Sequence, residues 1–116
     1  MVNGRQKGAS FERQIANYFK EKGYDTHRGI QYRSGQEEAD VVGLRGVHLE
    51  LKRVENLNLQ KAMEQSIRDC KEGEKPVVIH KKNRKHIMVT MLLDDWMEFY
   101  ESHTQGGNHD RTVEES

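Results

Sequence analysis

At 116 residues, with 19 Lys and Arg against 19 Asp and Glu, the chain has the size of one domain and no formal net charge. Cys70 is its single cysteine, which excludes an internal disulfide and a cysteine-rich zinc site. No apolar run approaches the roughly 20 residues that span a bilayer. The opening Met1 to Gly8 lacks the apolar segment of a secretory leader, so no membrane association and a cytoplasmic location are the expectations.

In chain order, residues 1–9 read as a basic arm. Ser10 suits the N-cap of a helix from Phe11 to Lys22, closed by Gly23, with Phe11, Ile15, Tyr18 and Phe19 as its buried stripe. Glu12 lies at the border of that stripe, where a carboxylate either looks into a cleft or is an ordinary flanking charge. Tyr24 to Arg28 reads as a short strand, and Gly29 to Ala39, with Ser34-Gly35, as a loop. Asp40 to Gly43 and Val47 to Arg53 read as paired strands around glycines placed for a hairpin. A helix from Leu57 or Asn58 to Lys71 follows, with Leu59, Met63, Ile67 and Cys70 facing the core and Gly73 ending it. Pro76 to Lys81 and His86 to Met91 are the next strands, joined by the soluble loop Lys82 to Lys85. Asp94 or Asp95 caps a last helix whose Trp96, Phe99 and Tyr100 are core or dimer contacts. The order is αβββαββα, an α/β domain with a central mixed sheet flanked by helices, a single unit over residues 1–103. Residues 104–116 read as a disordered acidic tail.

Charge is unevenly distributed. Residues 1–93 hold 18 basic against 12 acidic residues, and residues 94–116 hold one Arg against seven acids. A basic body attracts phosphates despite the neutral total. Arg5, Lys7, Arg13, Arg28, Arg33 and Arg53 are the candidates for contacts to a nucleic-acid backbone.

The chemistry is concentrated in His48-Leu49-Glu50-Leu51-Lys52. Alternation puts Glu50 and Lys52 on one face of a strand, about 7 Å apart, with Asp40 at the start of the neighbouring strand. Two carboxylates on adjacent strands suit a divalent cation, magnesium above all, with manganese as a substitute. The Leu51 carbonyl offers a third oxygen. Lys52 can orient or deprotonate a water, or stabilise negative charge in the transition state. Glu12 can hold a second cation or the waters of the first. His48 shares the Glu50 face, and Gln65 lies on the following helix; both are candidate supports. His80 and His86 have no metal-ligand spacing with the cysteine and read as structural or exposed. These residues together point to metal-dependent cleavage of a phosphodiester.

The order Glu12, Asp40, Glu50-Leu51-Lys52 resembles the PD-(D/E)XK nuclease superfamily, and in particular the archaeal-type Holliday junction resolvases and their phage relatives. Arg5 to Arg13, with its glycine and its closing Glu-Arg, is similar to that family's N-terminal segment. Arg33-Ser34-Gly35 is similar to its loop ahead of the metal-binding Asp. Leu49 to Glu55, Gln65 and Pro76 to Lys81 look like the small phage branch. The resemblance implies a restriction-endonuclease-like fold, Asp40 and Glu50 as metal ligands, Lys52 as the catalytic lysine, Glu12 as an additional acid, and Ser34 near the scissile strand. Ala39 stands where the family's motif has proline, a position that carries no chemistry. The short loop after Asp40 is also compatible with nucleases of the VRR type.

The resulting expectation is a metal-dependent DNA endonuclease, a Holliday junction resolvase that makes paired nicks as a two-fold homodimer. The alternatives are a related structure-specific or duplex endonuclease and a non-catalytic nucleic-acid-binding protein.

Overall fold

The structure is a computed structural model that describes residues 4–29 and 39–106. Its elements are α1 (Gly4–Glu21), β1 (His27–Arg28), β2 (Val41–Val42), β3 (Val47–Arg53), α2 (Leu59–Asp69), β4 (Lys75–Lys81), β5 (Met88–Met91) and α3 (Leu93–Gly106). The order αβββαββα is the expected one. The five strands form one mixed sheet in chain order, antiparallel except for β3 and β4, which run parallel and are connected by α2. This is an α/β architecture consistent with the restriction-endonuclease-like fold.

The alternation of β3 decides what each face of the sheet does. Leu49 and Leu51 point to the α1 side, where they pack with Phe11, Ile15, Ala16, Val41, Val77 and Ile79 into the main core. Their neighbours His48, Glu50 and Lys52 point to the other side, beneath α2. There Ala62, Met63 and Val78 form a smaller apolar cluster. One sheet face is thus a core, and the other carries polar chemistry.

Two local features hold this frame. Gly43 in the β2–β3 hairpin has φ +116°, and a Cβ there would collide with the Asp25 carbonyl oxygen and the Thr26 Cα, so only glycine allows the hairpin to back onto the chain leading into β1. Ser66 of α2 is fully buried; its hydroxyl accepts the Val77 N–H at 3.2 Å and faces the His48 carbonyl at 3.2 Å. One hydroxyl therefore ties α2 to both β3 and β4.

Several expectations are corrected. Helix α1 begins at Gly4, so residues 4–9, expected as an arm, belong to it, and Ser10 is an exposed mid-helix residue rather than a cap. Tyr18 is half exposed, packed edge-on against Phe19, and Ala16 takes the buried place. On α2 the buried residues are Ala62, Met63 and Ser66, while Ile67 faces solvent. The helix is rotated from its most apolar stripe because the Ser66 hydroxyl meets strand backbone that needs a partner. Trp96, Phe99 and Tyr100 of α3 are about half exposed and lie outside both core clusters. Helix α3 is tied to the body through Lys75, whose ammonium lies 2.8 Å from Glu98 and 3.7 Å from Asp95. It runs to Gly106; residues 107–116 of the expected tail lie outside the described residues. No helix among the described residues is long and apolar enough to cross a membrane.

Candidate active site

Strand β3 carries the centre of the site, and the hairpin glycines bring Asp40 beside it. The Asp40 backbone N–H donates to the Leu49 carbonyl at 2.9 Å, and its carboxylate accepts the Leu51 N–H at 2.8 Å. A strand residue's N–H and C=O leave by the same edge, so the Leu51 carbonyl also opens on the Asp40 side of β3. Glu50 is 5% exposed. Its two oxygens are held separately, Oε1 by His48 Nε2 at 3.1 Å and Oε2 by the Gln65 amide at 3.0 Å. Such a double anchor leaves the carboxylate little rotational freedom.

The electrostatics show how much negative charge is gathered here. Burial, then repulsion from Glu50, push the Asp40 carboxyl up to about 7; Glu12 adds to the rise. The Leu51 hydrogen bond and the positive charge of Lys52 oppose it. Asp40, Glu50, Glu12 and Lys52 therefore share one electrostatic environment, contributed by the β2 entry, β3 and α1. Glu12 accepts a hydrogen bond from Arg28 Nε at 2.9 Å, an ion pair that ties α1 to β1 and occupies one of the basic residues expected on the nucleic-acid surface.

His48 is buried on the Glu50 face. Burial alone lowers its pKa, but the hydrogen bond and charge of Glu50, with Glu74 and Asp69, turn the net shift upward. Its Nδ1 lies 3.8 Å from Glu74. Ligand atoms of His48, Glu50 and Asp69 all fall within 4.8 Å of one another. Asp69 escaped the sequence reading, although Gln65 and Asp69 stand four apart on one helix and so share the face turned to β3.

The donor set fits a divalent cation. Asp40, Glu50 and the Leu51 carbonyl supply oxygen atoms only, as magnesium prefers, and the raised proton affinity of Asp40 marks a carboxylate in need of a positive charge. The His48, Glu50 and Asp69 group adds a nitrogen, a combination better suited to zinc or manganese. Burial, with help from Glu74, Asp95 and Asp69, pushes the Cys70 thiol up to about 11, which keeps it protonated at neutral pH.

The basic candidates fall on several elements. Arg5 and Lys7 fall in the first turns of α1, and Arg13 is exposed further along it. Arg53 ends β3, with its Nη1 buried and lacking a partner among the described residues. Arg33 and Ser34 lie outside the described residues.

A family model described as "Phage putative PDDEXK endonuclease" matches residues 3–112. No curated protein matches the chain. The match spans nearly the whole chain and includes Glu12, Asp40, Glu50 and Lys52, so the chain belongs to this phage family of PD-(D/E)XK endonucleases.

Proposed function

We propose that the protein is a metal-dependent DNA endonuclease that resolves four-way junctions as a homodimer. The observation that carries the nuclease part of this reading is the carboxylate of Asp40 held against the Leu51 N–H at 2.8 Å beside buried Glu50, with Glu12 and Lys52 close enough to act on its charge. Asp40, Glu50 and the Leu51 carbonyl would hold magnesium or manganese, with Glu12 as a further acid. When bound, the cation supplies charge neutralisation at the phosphate and lowers the pKa of a water. Lys52 positions the attacking water and stabilises charge on the phosphate oxygens. His48 and Gln65 fix the direction of Glu50, so that its carboxylate stays preorganised.

Phosphate contacts come from the first turns of α1, where Lys7 adds to the positive end of a helix that has no acid in its first turn, and Arg5 is a proposed contact on its place in the sequence alone. Arg53, partly exposed at the end of β3, is a further proposed phosphate contact. Arg13, exposed further along α1, extends this basic surface, and Arg33 and Ser34 are proposed contacts on their place in the sequence alone. None of these contacts reads base edges, which favours recognition by shape.

The homodimer is favoured by the apolar surface that β5 and α3 leave uncovered. Ile87, Val89, Leu92, Leu93, Trp96 and Phe99 are all exposed among the described residues. Ile87 and Val89 also line a groove of about 680 Å³ that they form with Tyr18, Phe19 and Ile79. An exposed edge strand with an apolar helix after it is a surface that proteins ordinarily cover.

The test is cleavage of a labelled four-way junction beside a linear duplex of the same sequence, with magnesium or manganese. Paired symmetric nicks in the junction alone support the resolvase. Equal cutting of both substrates leaves a duplex endonuclease of the VRR kind. No cutting under any divalent metal, with DNA still bound, leaves a non-catalytic binding protein.

A further inference from the structure

The carboxyl ends of β3 and β4 open into a cavity of about 400 Å³ that the catalytic reading does not use. Its position is set by register. Lys52 of β3 pairs with His80 of β4, and in a parallel ladder such partners project from the same face, one strand spacing apart, about 4.8 Å. His80 lines the cavity, so the cavity adjoins the proposed catalytic lysine across a single strand.

The lining has two parts. Leu57, Leu59 and Met88 provide an apolar floor, and Lys82 and Lys85 of the β4–β5 turn stand at the rim. No carboxylate belongs to the described lining. The turn is not loose: the Asn83 N–H donates to Glu55 Oε2 at 2.6 Å, which pins it to the link between β3 and α2. Arg84 adopts φ +60° there, a conformation that the pinned turn imposes on a non-glycine residue. The two lysines are thereby held at the mouth of an apolar hollow.

An apolar floor with a cationic rim matches a group that is flat and apolar at one end and anionic at the other. A nucleotide has that form, with a base that tolerates apolar contact and a phosphate beside it. The volume lies within the usual range of about 300–1,000 Å³ for small-ligand pockets, enough for a nucleotide and too small for a base pair with its backbone. A base can enter only after leaving the stack, which costs least at a branch, flap or other unpaired position.

Resting on the nuclease reading above, we propose that this cavity receives one unpaired nucleotide of the DNA next to the scissile phosphate, with its base on Leu57, Leu59 and Met88 and its phosphate on Lys82 and Lys85. The pocket selects branched over linear DNA without reading sequence.

The experiment uses the Asp40→Asn protein in a chelator, so that nothing is cut. A four-way junction carries 2-aminopurine at successive positions around its centre, and a linear duplex carries it at matched positions. The expected result is a rise in fluorescence at one junction position as the base leaves its stack, with none on the duplex. Met88→Glu and the double variant Lys82→Gln/Lys85→Gln are expected to abolish the rise at saturating protein and to weaken junction binding about fivefold or more. Met88 is 54% exposed, so its replacement leaves both cores intact. Bound junction with no rise at any position overturns the pocket and leaves the nuclease reading standing. A rise that survives Met88→Glu places the base elsewhere and also overturns it. Absence of both DNA binding and wild-type cleavage defeats the nuclease reading itself, and the pocket with it.

Discussion

Replacing Asp40 by Asn is expected to stabilise the metal-free protein at alkaline pH and to lose that advantage in acid. The Asp40 carboxyl is pushed from an ordinary 3.8 to about 7, chiefly by burial and by Glu50. The folded state therefore keeps a proton over a range in which the unfolded chain has released it. The stability contributed by this proton is complete below the unfolded value and is lost as pH rises through about 7. Three units correspond to roughly 4 kcal/mol, of which roughly 3 kcal/mol falls between about pH 5 and about pH 8. Asparagine keeps an acceptor for the Leu51 N–H and removes the buried charge. Urea unfolding of both proteins in a chelator at the two pH values measures the difference. The Asn variant should lead by a few kcal/mol at the higher pH, and the gap should shrink by about 3 kcal/mol at the lower. His48, also raised, titrates in both proteins and largely cancels in the comparison. A gap of the same size at both pH values would overturn this account, because the burial of Asp40 beside Glu50 would then carry no charge penalty.

Three further outcomes are expected. Lys52→Ala should retain divalent-cation binding by calorimetry while cleavage falls by roughly 100-fold or more; retained turnover removes the lysine from the mechanism. Gln65→Ala strips Glu50 Oε2 of its donor, and urea unfolding should show a loss of about 1–3 kcal/mol that largely disappears when Glu50 is also changed to Gln. Trp96→Glu together with Phe99→Glu should leave the fold intact, since both side chains are about half exposed, and shift the protein to monomer in sedimentation equilibrium. An unchanged mass would move the dimer contact away from α3.

The sequence was most legible where local and periodic signals agree. The alternation through Val47 to Arg53 located β3 at its observed bounds, and Gly43 and Gly46 marked the hairpin because positive φ favours glycine. Helix α2 was placed within two residues of its start, and Asn58, expected as a possible first residue, instead caps it by accepting the Lys61 N–H. The start of α1 was not legible. Ser10 has the chemistry of a cap, but the residues before it continue the helix, and a serine can be carried on an exposed helix face at little cost. The burial of Ser66 in place of Ile67 was hidden as well, because it depends on the Val77 N–H and the His48 carbonyl, strand groups contributed from other parts of the chain.

The candidate site divides along the same line. Glu50, Lys52 and His48 share a face because the pleat of β3 requires it, and that much follows from residue order alone. The approach of Asp40 to the Leu51 N–H, of Gln65 and Asp69 to β3, and of Arg28 to Glu12 joins residues up to 21 positions apart. The same is true of the pairing that sets His80 beside Lys52. Spacing along the chain could nominate the acids and the lysine, since the chemistry requires those groups. How strongly they perturb one another depends on burial and on distances through space, and those were decided when the sheet closed and α1 and α2 packed on its two faces.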